Sequence, residues 1–156
     1  MANLDKDYFR AVHKTSMDQA TWKAYAGEYF GGVLDGDIER RSWTVKVTGP
    51  DGVVKSEPRS RQDWVIKDGM IAAGAGTSIH DISGTMTPVY LWKYFEMPKG
   101  TAIPETLKIV QRGSDKHHYQ IEVANGGKLT PDALRGALDT LARACVAKKV
   151  EESKTH

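Results

Sequence analysis

Apolar positions recur along the chain at two periods. Tyr8, Phe9, Ala11 and Val12 surround Arg10 in a short β-compatible run, and Trp22, Tyr25, Ala26 and Tyr29 recur at helical spacing behind Asp18, a residue suited to cap a helix. The pattern predicts a strand and then a helix that Gly31 and Gly32 stop. Trp43, Val45 and Val47 alternate with Thr44 and Lys46 ahead of the turn Gly49-Pro50-Asp51-Gly52 and the pair Val53-Val54, which predicts a hairpin. Residues 56–61 are polar and contain Pro58, so they read as a connection. Residues 63–66 suit a short strand and Lys67-Asp68-Gly69 a turn. Residues 70–79 are rich in Ala and Gly, where small side chains let backbone and ligand approach closely.

Farther on, Val89, Tyr90, Leu91, Trp92, Tyr94 and Phe95 form a nearly continuous apolar run, which predicts a central strand covered on both faces with its aromatic rings in the core. Residues 107–110 and 117–123 predict two more strands around Arg112-Gly113-Ser114-Asp115, and Asn125-Gly126-Gly127 closes the β region. Thr130 caps a helix with Pro131 at its first position, and Leu134, Leu138, Leu141 and Cys145 form its buried stripe. The tail from Lys148 to His156 reads as solvated and frayed. With no repeat and no long linker, residues 1–156 are expected to form one α+β domain, a helix near each end of a strand-rich middle.

Composition narrows the function classes. Lys and Arg number 22 against 20 Asp and Glu, so the net charge of +2 gives no sustained basic field and little support for nucleic-acid binding. Hydrophobic residues at 40% and charged residues at 27% describe a globular chain and exclude disorder throughout. The single Cys145 leaves no disulfide partner and no zinc module. Asp5, Lys6, Asp7, Arg10 and Lys14 interrupt residues 2–17, leaving no apolar run for a signal peptide, and no stretch approaches the ~20 apolar residues of a membrane span. A cytoplasmic protein is expected, one that leaves its cell, if at all, without a cleaved signal.

Several chemical signatures fail. A calcium loop from Asp35 would need Gly at its sixth position and Glu at its twelfth, which are Arg40 and Lys46. Gly74-Ala75-Gly76 lacks the third Gly of a dinucleotide fingerprint, position 79 being Ile, and no phosphate loop or serine elbow exists. His117 and His118 must point to opposite faces of a strand, so at most one of them lines a given pocket. What remains is Arg10 on the first strand, Thr77-Ser78 after a Gly-rich stretch, and His118, Gln120 and Glu122 on one face of a late strand. This set resembles the arginine, serine and glutamate signature of ADP-ribosyltransferases. There an Arg anchors NAD, a Ser hydroxyl orients the first strand or the ribose, and a carboxylate bonds the ribose while stabilising an oxocarbenium-like transition state.

A more specific resemblance covers residues 8–149, more weakly between 22 and 61. The segments Tyr8-Phe9-Arg10-Ala11-Val12-His13-Lys14, residues 63–69, Gly76-Thr77-Ser78-Ile79-His80-Asp81, Gly100-Thr101-Ala102-Ile103-Pro104, His118-Tyr119-Gln120-Ile121 and Leu134-Arg135-Gly136-Ala137-Leu138-Asp139 follow one another in this order. Together they resemble the Tse2-like family of small, cytoplasm-acting type VI secretion toxins, whose fold is ADP-ribosyltransferase-like. The resemblance implies an α+β fold with a strand-rich core of two small packed sheets, and an NAD-dependent ADP-ribosyl transfer to an unknown cytosolic target. It implies NAD as substrate, an immunity protein covering the pocket, and a component of the secretion machine as partners. Residue by residue, it implies that Ser78 and His118 are catalytic, that Arg10 and Thr77 bind NAD, and that Arg59 or Arg61 joins them. Glu122 has no acidic counterpart in the family, so its role as the catalytic carboxylate rests on this chain alone. Two rivals stay open: a non-catalytic nucleotide- or protein-binding toxin on the same fold, and a metal-independent ribonuclease with His118 as base and Arg10 or Arg61 on phosphate.

Overall fold

The computed structural model describes residues 2–13 and 32–154; the expected helix over Trp22 to Tyr29 lies outside the described residues. Strands β1 (Tyr8–His13), β6 (Thr77–His80), β7 (Trp92–Met97), β8 (Leu107–Gln111) and β9 (His118–Val123) form a five-stranded sheet in the order β7-β1-β6-β9-β8. Every neighbouring pair in it is antiparallel. Two two-stranded ladders stand apart from it: β2 (Arg41–Thr48) with β3 (Val54–Arg61), and β4 (Ile66–Lys67) with β5 (Met70–Ile71). A helix, Pro131–Lys154, closes the described chain. The α+β class is as expected; its strands divide into one larger sheet and two hairpins.

Directly opposed residues in an antiparallel ladder share a face. Thr77 is opposite Ile121, Ile79 opposite Tyr119, Leu107 opposite Val123 and Tyr8 opposite Met97, and these positions line the buried face. Leu134, Leu138, Leu141 and Cys145 of the helix are fully buried in the same cluster, so the stripe legible in the sequence is the one that covers the sheet. Thr130 caps that helix, its Oγ1 accepting from the Ala133 N–H at 3.2 Å. The opposite face of the sheet carries the polar series Ser78, His80, His118 and Gln120.

Three expectations are corrected. Residues 56–61 are not a connection, since β3 runs through them and Pro58 sits opposite Thr44. A two-stranded ladder has a free edge on each side, so a missing N–H there costs no ladder bond. The run from Pro88 is not a central strand: Val89–Leu91 is a 3-10 turn in which Tyr90 is 71% exposed, and β7 lies at the sheet edge. Toward its end alternation decides burial, with Phe95 and Met97 inward and Glu96 between them outward. The helix also continues through the expected frayed tail to Lys154, helped by the Lys149 to Glu96 ion pair at 2.9 Å.

Candidate functional site

The Gly-rich stretch ahead of β6 allows the strand to enter where it does. A Cβ on Gly76 would lie 1.8 Å from the Ile121 carbonyl oxygen, so only glycine permits this approach to β9. The next two residues divide between the faces of the sheet. Thr77 is fully buried, and its hydroxyl donates to the Leu34 carbonyl at 2.8 Å. Ser78 faces the other way, opposite Gln120, while His80 stands opposite His118.

Across the diagonal, Ser78 Oγ lies 3.0 Å from His118 Nε2. His118 Nδ1 lies 2.9 Å from the Arg112 carbonyl oxygen. A carbonyl can only accept, so the neutral ring carries its proton on Nδ1 and presents the Nε2 lone pair to the serine hydroxyl. This is a hydroxyl polarised by an oriented base, the arrangement that proton transfer needs. Arg10 Nη1 donates to the Ser78 backbone carbonyl at 3.0 Å, from a position opposite Phe95 on β7. The His80 ring stands 5.4 Å from that of His118. Its Nδ1 is buried with no hydrogen-bond partner among the described residues. Burial, and then His118, hold His80 below the usual histidine range, so it is neutral there.

The remaining sequence candidates are placed differently. Glu122 lies on the same face of β9 as His118 and Gln120, but it is fully buried and both its oxygens are engaged. Oε2 accepts from Arg112 Nε at 2.8 Å, and Oε1 accepts from Arg112 Nη2 and from the Gly74 N–H, both at 2.9 Å. The Arg112 hydrogen bonds outweigh burial and, with the Gly74 N–H, keep its carboxyl below the ordinary glutamate range. A carboxylate so engaged is not free to meet a ribose hydroxyl beside Ser78. Arg59 pairs with Glu57 at 2.9 Å on the exposed hairpin, and Arg61 pairs with Asp63 at 3.1 Å and Asp37 at 3.6 Å. Neither has a hydrogen bond or ion pair to Arg10, Ser78 or His118. The structure therefore brings together Ser78 and His118, ties Arg10 to the Ser78 backbone, and leaves Thr77, Glu122, Arg59 and Arg61 in separate contacts.

Sequence reasoning missed Arg112, Gly74 and His80. Arg112 reads only as a turn residue, because its contact with Glu122 depends on the return of β9 beside β8. Gly74 also walls a cleft of about 520 Å³ whose lining includes Val65, Lys67, Met70 and Lys128, so one glycine is shared by the cleft and the Glu122 carboxylate. His117, on the other side of the chain from His118, is held by Asp81 at 2.7 Å, and Asp81 also takes Lys6 at 3.0 Å.

The fold and this polar face define an α+β domain with an oriented serine and histidine pair beside an arginine. The family model described as Tse2 ADP-ribosyltransferase toxin matches residues 28–150, most of the chain, and the chain belongs to that family. It is therefore a toxin of ADP-ribosyltransferase type. The matched span includes Ser78, His118 and Glu122 and leaves out β1 with Arg10. No curated protein matches the chain. No helix among the described residues is long and apolar enough to cross a membrane.

Proposed function

We propose that the chain is an antibacterial type VI secretion effector that acts in the recipient cytosol by transferring ADP-ribose from NAD to a target there. The observation that supports this most is the 3.0 Å bond from Ser78 Oγ to His118 Nε2, in a chain of this family. The donor set suits NAD: a guanidinium for its negative charge, a hydroxyl for a ribose, and the buried, partnerless His80 Nδ1 as a polar atom that a ligand can satisfy. NAD, when bound, supplies the ADP-ribosyl group and a nicotinamide leaving group.

The residues divide the work. Arg10 holds the anionic side of the substrate, and its bond to the Ser78 carbonyl keeps charge and hydroxyl in register. Ser78 donates its proton toward His118, leaving its oxygen lone pairs to accept from a substrate hydroxyl. As the target nucleophile bonds to the ribosyl carbon and nicotinamide departs with the electron pair of the broken glycosidic bond, the proton the nucleophile loses passes to the Ser78 oxygen while the Ser78 proton moves to His118 Nε2. Thr77 supports the neighbouring Ser78 from the buried side rather than binding NAD. Arg59 and Arg61 sit in hairpin ion pairs and are not assigned to the substrate.

Because such an activity poisons its producer, an immunity protein that covers the polar face of β6 and β9 is part of this reading, as is a secretion-machine component that carries the chain out. Expression of the chain in a susceptible cytosol without the immunity protein is expected to arrest growth. Normal growth with soluble protein present overturns the reading.

A further inference from the structure

We propose that Glu122 and Arg112 are a positioning pair that sets the tautomer of His118; this rests on the role given to Ser78 and His118 above. Glu122 is a fully buried carboxylate, costly to take out of water unless it is paired, with Lys108 Nζ 4.0 Å from Oε1 and Arg112 in direct contact. Its partner Arg112 touches β9 at both ends. The guanidinium grips Glu122 through Nε and Nη2 at 2.8 and 2.9 Å. The backbone of the same residue grips His118, its N–H donating to the His118 carbonyl at 3.2 Å and its carbonyl accepting from Nδ1 at 2.9 Å.

One side chain thus pins the β8 to β9 turn to the far end of β9, four residues beyond His118. A two-pronged guanidinium on a carboxylate fixes direction as well as distance. The carbonyl of Arg112 is held where it can only be a proton acceptor for Nδ1, and Nε2 is left to accept from Ser78. Without the grip, the turn keeps only its backbone bonds and those from the Gln111 side chain to the Gly113 and Asp115 carbonyls, the Arg112 carbonyl is held less firmly against Nδ1, and the ring gains access to the tautomer that cannot accept the serine proton. Glu122 therefore acts on the reaction through Arg112 and His118 and does not touch substrate. Gly74, whose N–H fills the third bond to the carboxylate, extends the unit to the loop before β6.

The test is nitrogen-15 NMR of the histidine rings in the purified full chain at neutral pH, beside turnover of labelled NAD. In the parent chain His118 is expected as the Nδ1–H form. In Glu122→Gln and Arg112→Gln its ring signals move toward a mixture of tautomers, and kcat falls on the order of tenfold to a hundredfold with little change in KM for NAD. The double variant is no worse than the poorer single one, since the two residues act as a unit. Arg112→Lys restores part of both readouts, and it carries the test if Glu122→Gln does not fold.

Unchanged His118 signals in folded variants overturn the proposal. So does an inactive Glu122→Gln beside a fully active Arg112→Gln, because Glu122 then acts on substrate directly. Failure of the functional reading shows separately, as NAD turnover that survives in Ser78→Ala and His118→Ala, and the ring signals still decide the positioning role in that case.

Discussion

Ser78 and His118 meet on a diagonal of the β6 to β9 ladder: Ser78 is opposite Gln120 and His80 opposite His118, yet the hydroxyl of the first and the ring of the last are 3.0 Å apart. Diagonal neighbours are farther apart than opposed ones, and a long side chain such as histidine can close that gap. A slip of one residue would put His118 on the core face and destroy the pair. Gly76, where a Cβ would meet the Ile121 carbonyl, permits the close approach at this end of the ladder that the chemistry depends on.

From this relationship, Ser78→Ala and His118→Ala are each expected to abolish toxicity while the chain stays folded. Ser78 loses only a hydroxyl, and His118 is half-buried at the polar face rather than part of the apolar core. Growth after induction, with a circular dichroism melt of each purified variant, checks this. Full toxicity in both variants would place the chemistry elsewhere.

Thr77 should behave differently from its neighbour. Its hydroxyl is buried and bonded to the Leu34 carbonyl, so Thr77→Val leaves that acceptor unsatisfied and should cost about 1–3 kcal/mol of stability. The melting temperature drops, while activity per folded molecule holds. A loss of NAD turnover with no change in melting would instead make Thr77 a substrate contact.

Acid stability should report on Glu122. Its folded-state pKa is depressed, chiefly by Arg112, so the native chain binds its proton less readily than the unfolded one. The stabilisation is complete above the ordinary glutamate value and is lost as pH falls through the lower, folded value. Denaturant unfolding from neutral pH down to acid should show this loss in the parent chain and a flatter profile in Glu122→Gln. Identical acid limbs in the two would contradict the strength of the pair.

Local pattern made much of the fold legible. Thr130, Pro131 and the stripe from Leu134 to Cys145 announce the helix because capping and period are local properties, and the residues of β8 and β9 alternate or run apolar as strands do. The place of this run was not legible, because Val89, Tyr90 and Leu91 look like core strand until a 3-10 turn carries them outside the sheet, and β7 begins at Trp92 on the sheet edge. The same division holds at the site. Ser78 and His118 carry the family resemblance in short segments, whereas Arg112 reaches Glu122 only through the return of β9, a contact that no spacing in one sequence displays. Glu122 reads as a reactive carboxylate on a strand face, and only the partners on its oxygens reveal it as a committed one.

On this reading Ser78 and His118 form the site that transfers ADP-ribose. The most direct test is incubation of the purified chain with lysate of a susceptible cell and NAD labelled in the adenylate portion. Label is expected to become attached to a target and nicotinamide to be released, with both lost in Ser78→Ala and His118→Ala. Growth-arresting protein that neither consumes NAD nor transfers label, or that cleaves RNA through His118 without NAD, would contradict that reading.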